Sequence, residues 1–307
     1  MPARTGVIDP EVLDRLNGLS LVARKVVEGY MAGHHTSPHR GSSVEFRQHR
    51  PYTPGDELRS IDWKVFARSD RLVVKEYVEE THLSLTLMLD ASESMAYGSI
   101  EGEHGIRTKF DYARWCAAAL AHLTLGQRDT AGLVIFDEKE RVKVPPANGA
   151  PQEAAILQAL SEARPTGLTA VGDVLGWLGS RLAHRGLTAI FSDFFDDLTT
   201  IRRGLEQLVH GGHEPILFQV LDPAELNFDF NALLRLDGLE GTGIHKIDPK
   251  AIREAYRAEI QAHNEQLAKA ARHLSLDYVV MTTDEPLDAV IAAYLARRTA
   301  RARGGSR

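Results

Sequence analysis

The chain has 307 residues, 43% hydrophobic, 25% charged and 7% aromatic, a balance that fits a folded globular protein with room for about two domains and excludes disordered, fibrous and membrane-embedded classes. Thirty-six Lys and Arg against forty-two Asp and Glu give a formal charge of −6, so no overall basic field draws the chain to nucleic acid or anionic lipid. The single cysteine, Cys116, excludes an internal disulfide, and with no zinc-type Cys/His spacing, signal peptide or long apolar run the expected location is cytoplasmic.

Apolar residues at helical spacing (Val12, Leu16, Leu19, Ala23, Val26, Tyr30) predict an amphipathic helical arm over residues 1–33. Residues 34–50 turn polar and basic, with His34, His35, His39, Arg40, Arg47, His49 and Arg50, and read as a loop; the histidines are irregularly spaced and suit a solvated loop better than a metal site. The Pro54-Gly55-Asp56 turn and the β-favouring run from Leu72 to Val78 complete a small β-rich annex, so that residues 1–80 form one region. From residue 81 to 307 strands alternate with helices, which predicts a mostly parallel, doubly wound sheet. Strands are predicted at 83–89, 132–136, 187–191, 215–221 and 277–281, with a short antiparallel return at 141–144. Helices are predicted on Phe110, Ala113, Ala117, Leu120 and Ala121, then at 152–162, 171–184, 199–210, 249–273 and 286–298. Acidic, Gly-rich residues 222–248 predict a hairpin insertion, and Arg297, Arg298, Arg301, Arg303 and Arg307 a basic tail after the last helix. Cys116 falls on an apolar helix face, as a buried inert thiol would.

In such a sheet ligands bind beyond the carboxyl ends of the strands. The first long strand ends in Asp90-Ala-Ser92-Glu-Ser94, Thr169 lies in Gly167-Leu-Thr-Ala-Val-Gly-Asp173, and Asp193 follows another apolar strand in Ile190-Phe-Ser-Asp193. These are hard oxygen donors, the kind a divalent cation such as Mg²⁺ takes. Singly, each has a plainer reading, with Ser92, Ser94 or Thr169 capping the next turn or helix. Together, Asp-x-Ser-x-Ser, Gly-x-Thr and apolar-Ser-Asp resemble the metal-ion-dependent adhesion site of von Willebrand factor A domains. That resemblance implies that Asp90, Ser92, Ser94, Thr169 and Asp193 hold Mg²⁺ or Mn²⁺, with a partner's carboxylate filling the open position.

Upstream, Gly41-Ser-Ser-Val-Glu-Phe46, Arg50-Pro-Tyr-Thr-Pro-Gly55-Asp56-Glu-Leu-Arg59, Ile61-Asp62-Trp63-Lys64 and Val74-Lys-Glu76 resemble the bacterial "domain of unknown function 58" family over about residues 15–220. The resemblance implies a von Willebrand factor A-like α/β fold, no established catalysis, and work beside a MoxR-type AAA+ ATPase on a client protein that offers an acidic residue. Neither a nucleic-acid partner nor direct membrane contact is expected. Gly55, Asp56, Asp62, Trp63 and Lys64 are the annex positions of that pattern; the opposite charges of Asp56, Asp62, Lys64, Arg68, Lys75 and Glu76 around Trp63 favour a buried polar network tying the annex to the sheet over direct ligand contact. The competing enzyme reading is a Mg²⁺-dependent phosphoryl-transfer hydrolase of haloacid-dehalogenase type with Asp90 as nucleophile. It lacks the acid–base aspartate two residues on, where Ser92 stands. No Gly-x-x-x-x-Gly-Lys-Ser/Thr, Gly-x-Gly-x-x-Gly or Gly-x-Ser-x-Gly motif supports nucleotide or serine-hydrolase chemistry.

Overall fold

The computed structural model describes Ala23 and residues 45–54, 56, 61–78, 83–102, 105–182, 185–228, 234–237, 244–247 and 249–304. Residues 37–82 form one compact unit, and residues 83–307, with Ala23, belong to another. The rest of the helical arm, the His34, His35 and His39 cluster, and Gly55 lie outside the described residues.

In the smaller unit, β1 (Glu45–Pro51) pairs antiparallel with β2 (Val73–Val78), and a short helix, α1 (Trp63–Ser69), lies between them in sequence. The polar text expected to be a loop up to Arg50 is thus a strand from Glu45 onward. Its register with the β-branched run of β2 supplies ladder partners that single-residue polarity does not reveal.

In the larger unit four strands are buried along nearly their whole length: β3 (Ser84–Asp90), β6 (Thr130–Phe136), β8 (Leu187–Ser192) and β9 (Glu214–Leu221). Such continuous apolar runs are what a parallel sheet covered on both faces requires. β12 (Asp277–Thr282) adds one edge and β7 (Glu140–Ala147) the other, in the order β12-β9-β8-β3-β6-β7. Only β7 runs antiparallel, against β6. Alternate residues of β3 feed two cores: Leu85, Leu87 and Leu89 pack with residues of α2 (Lys109–Gly126), α3 (Ala150–Glu162) and α8 (Leu287–Gly304), including Phe110, Leu160 and Ile291. Met88 joins the opposite core with residues of α4 (Val171–Gly179), α5 (Leu198–His210) and α7 (Pro249–His273), among them Leu175, Leu205 and Leu267. Cys116 is fully buried in the first of these cores.

Two short antiparallel pairs complete the unit, β4 (Ile100–Gly102) with β5 (Gly105–Arg107) and, within the acidic stretch, β10 (Leu234–Asp237) with β11 (Ile244–Ile247) after a short helix, α6 (Pro223–Asn227). Helix α4 ends at Gly179, short of the expected residue 184. The last helix runs on to Gly304, so Arg297, Arg298, Arg301 and Arg303 are helical and not a trailing tail; Arg307 lies outside the described residues. Arg298 reaches Glu214 and Asp277 at 3.2 and 3.3 Å, a pairing across elements that local charge counting cannot foresee.

Candidate functional site

After β3 the chain builds β6 and β7 on one side and then returns to place β8 on the other side of β3. This reversal makes the carboxyl ends of β3 and β8 a topological switch point, where open α/β sheets hold their ligands. Asp90 is the last residue of β3, Asp193 is the first after β8, and both are fully buried.

The loops around them are stitched by backbone hydrogen bonds. Ala91 N–H donates to the Phe136 carbonyl at 2.7 Å, Thr166 N–H to that of Ala91 at 2.7 Å, and Glu93 N–H to that of Gly167 at 2.9 Å. Gly167 has φ +82°, left-handed backbone that a side chain would strain, and this turn carries Thr169 over to the Ser92–Ser94 loop. The amide of Gly172 donates to Asp196 Oδ2 at 3.1 Å, tying the first turn of α4, which follows that loop, to the residues after β8. Gly172 is also where α4 lies against α5, since a Cβ there would fall 2.5 Å from the Ile201 nitrogen.

On this frame Asp90 Oδ1 accepts the Ser92 amide at 2.9 Å and Oδ2 the Ser192 hydroxyl at 2.6 Å. The Ser92 and Ser94 hydroxyls are 3.1 Å apart, and Ser94 lies 3.5 Å from the Thr169 hydroxyl. Asp90, Ser92, Ser94, Thr169 and Asp193 therefore share one sheet edge, with Ser94 and Thr169 half-buried and the other three inside. The capping readings do not describe them. Ser92 precedes the 3₁₀ turn Glu93–Ala96 without a side-chain cap bond, and α4 starts from Ala170, also uncapped by a side chain.

Sequence reasoning missed Lys109. It is the first residue of α2, fully buried, with Nζ 2.8 Å from Asp193 Oδ2 and 2.6 Å from Glu225 Oε1. The signal was present: Thr108 and Asp111 form a capping box, which fixes Lys109 at a helix N-terminus, where the helix dipole disfavours a cation that lacks an anionic partner. Ser192 was also missed as a working residue, although it stands inside the Ile190-Phe-Ser-Asp193 motif. Its hydroxyl donates to Asp90 and accepts the Phe194 amide at 2.9 Å. Phe194 takes the left-handed conformation at φ 56°, a strained state for a phenylalanine, and the loop is held by His263 on its carbonyl at 2.9 Å and by Gln219 on that of Asp193 at 3.0 Å.

The two aspartates are driven apart. Burial, then the charge of Asp193, push Asp90 up to about 7. Burial acts on Asp193 as well, but the ammonium and hydrogen bond of Lys109, with the Phe195 amide, reverse it and hold Asp193 below its ordinary value. Glu225 is raised because its burial outweighs its share of Lys109. Lys109 is raised too: burial disfavours its charge and the two carboxylates more than compensate. Among the described residues no cation contacts Asp90, and no group of three or more His, Cys, Asp or Glu gathers as a metal cluster. The donor chemistry still fits a hard divalent ion, with three hydroxyls beside two carboxylates of which one has no positive partner. Next to the site a recess of about 280 Å³ is lined by Phe195, Asp196, Glu259, Ile260 and His263.

Of the annex positions, the two aspartates serve local structure. Asp62 caps α1 by accepting the Lys64 and Val65 amides, and its other oxygen lies 3.1 Å from His49 Nε2. Asp56 accepts Arg50 Nη2 at 2.8 Å and the Thr53 amide at 2.9 Å, and Arg50 foremost holds its carboxyl below the usual range. Trp63 is 56% exposed, which corrects the expectation of a buried packing anchor; as the first residue of α1 it turns outward beside an exposed Lys64.

No described helix is long and apolar enough to cross a membrane. The chain is 26% identical over 300 residues to the uncharacterized proteins Mb1516 of Mycobacterium bovis and Rv1480 of Mycobacterium tuberculosis, covering 96% of this chain and 92% of each of those. Among solved structures it is similar to the conserved hypothetical protein BatB from Bacteroides thetaiotaomicron, with a TM-score of 0.46 and 12% identity over 71% of this chain and 99% of that one. An aerotolerance-related membrane protein from Bacteroides fragilis gives a TM-score of 0.45 and 13% identity over 70% and 97% of the two chains. The family described as protein of unknown function DUF58 matches residues 48–266, well over half of the chain, and the protein belongs to that family.

Proposed function

We propose that this protein is a non-catalytic, divalent-cation-dependent protein-binding adaptor with a von Willebrand factor A-like domain, working with a MoxR-type AAA+ ATPase in chaperone-like assembly or remodelling. The observation that carries the reading is the convergence of Asp90, Ser92, Ser94, Thr169 and Asp193 at the switch point, with one buried carboxylate that meets no cation among the described residues. Ser92, Ser94 and Thr169 would supply hydroxyl oxygens, and Asp90 and Asp193 the charge, for Mg²⁺ or Mn²⁺. A cation held there offers a Lewis-acid position to an Asp or Glu of the partner. The half-buried Ser94 and Thr169 form the side of the cluster that reaches solvent, where such a carboxylate can approach.

Against a phosphoryl-transfer hydrolase stands the state of Asp90. It is fully buried, each oxygen already accepts a hydrogen bond, and Ser92 cannot move a proton at neutral pH without help. The test is calorimetric titration of the full chain with Mg²⁺ and Mn²⁺, alone and with the MoxR-type ATPase, beside Asp90→Ala and the milder Ser94→Ala/Thr169→Ala pair. Saturable binding lost in both variants, and tighter with the partner, is the expected result. Binding that survives in both variants places the cation elsewhere and ends the reading.

A further inference from the structure

Resting on the cation-site reading above, we infer that Lys109 is a built-in counter-ion of this site that keeps its divalent-cation affinity low until an acidic partner is present. Lys109 Nζ contacts Asp193 Oδ2 at 2.8 Å, and the Phe195 amide holds Oδ1 at 3.1 Å, so both oxygens of Asp193 are engaged before any cation arrives. An ammonium on the same carboxylate as a divalent ion repels it at short range, in an interior where such repulsion is weakly screened. Glu225 works in the opposite sense. Its Oε1 accepts from Lys109 at 2.6 Å and its Oε2 from the Asp222 amide at 3.0 Å, which fixes the glutamate on the capping box of α6 while it draws off part of the lysine's field.

The geometry differs from an ordinary structural ion pair in where its charges sit. Lys109, Asp193 and Glu225 come from α2, the loop after β8 and α6, all at the carboxyl edge beside Asp90. Phe195 covers the ammonium, its ring centroid 5.3 Å from Nζ, and also lines the adjoining recess, so the counter-ion lies directly behind the surface that a partner would occupy. A partner's carboxylate restores the negative charge that Lys109 cancels, so cation and partner bind with positive linkage.

The test is titration of the full chain with MnCl₂ and MgCl₂, following heat and melting temperature, in the wild type, Lys109→Met, Glu225→Gln and the double variant. Lys109→Met is expected to tighten binding about tenfold or more, and Glu225→Gln, which leaves the lysine in place and less neutralised, to weaken it severalfold. The double variant, with one fewer unpaired buried carboxylate than Lys109→Met, also binds more tightly than wild type. A purely structural role predicts that all variants lose affinity together with stability. If the wild type binds through Ser94 and Thr169 but neither substitution moves the affinity, the counter-ion role is overturned and the cation site stands. If neither wild type nor variants bind either ion, the cation site fails and this inference with it; binding seen only after Lys109 is removed supports it.

Discussion

The ends of β3 and β8 pose the same problem and solve it differently. Each neighbouring strand delivers an aspartate into full burial at the same edge of the sheet. Asp193 receives an ammonium from α2 and stays charged; Asp90 receives a hydroxyl and an amide and is pushed up to about 7. Hydrogen-bond donors soften the cost of burying a carboxylate but do not cancel it, whereas a bonded cation does, provided the cation's own burial is repaid by a second carboxylate, here Glu225. The contrast leaves one strand end electrostatically closed and the other short of positive charge.

The strongest way to break that contrast is to remove the charge at the closed end. Asp193→Asn strips Lys109 of its fully buried partner and is expected to cost on the order of 3 kcal/mol in chemical denaturation at neutral pH, since breaking a buried pair from one side leaves a charge unsatisfied. Asp90→Asn, an equally conservative change at an equally buried position, is expected to cost about 1.5 kcal/mol or less, because no ion pair is broken and only hydrogen bonds are rearranged. Equal losses at the two positions would remove the distinction.

The pH dependence sharpens it further. Asp90 in the folded protein holds its proton up to about 7, against an ordinary aspartate value of 3.8, so between those values the folded state binds the additional proton and stability falls as pH rises. Asp193 has the opposite sign: its contribution is present above the ordinary aspartate value of 3.8 and is lost as pH falls through its lowered folded value. Melting temperatures taken across the Asp90 window should decline with rising pH in the wild type and flatten in Asp90→Asn. A slope that persists in the variant would assign the titration to another group.

Ser192→Ala removes the hydroxyl on Asp90 Oδ2 and leaves the Phe194 amide without that acceptor, an expected loss of about 1 kcal/mol and a decline that runs on to higher pH than in the wild type. The smallest effect is expected from Ser94→Ala. Its half-buried hydroxyl contributes about 0.5 kcal/mol to stability, yet the change should abolish any Mg²⁺-dependent rise in melting temperature. A Mg²⁺ response that survives this change would exclude Ser94 from the cation set.

Much of the architecture could be read from one dimension because it is written in local pattern. Continuous apolar runs at 132–136, 187–191 and 215–221 match β6, β8 and β9 within a residue or two at each end, since strands buried on both faces admit little else. The positions of Asp90, Ser92, Ser94, Thr169 and Asp193 at strand ends and before a helix are legible in the sequence. Polar text misled where long-range partners decide: residues 45–50 gain strand structure from β2, and the C-terminal arginines gain helix and ion pairs from β9 and β12. Trp63 misled in the other direction, because a tryptophan among charges carries no mark of which way its helix turns.

By itself the sequence determined the α/β alternation and the turn chemistry and marked Asp90, Ser92, Ser94, Thr169 and Asp193 as oxygen-bearing side chains at strand ends and before a helix, all of which depend on residues a few positions apart. Only the tertiary structure decided that Lys109, 84 residues from Asp193 and 116 from Glu225, closes the circuit between them. The reason is electrostatic: the state of a buried carboxylate depends on what lies within a few ångströms in space, and that distance is set by how the helices return to the sheet.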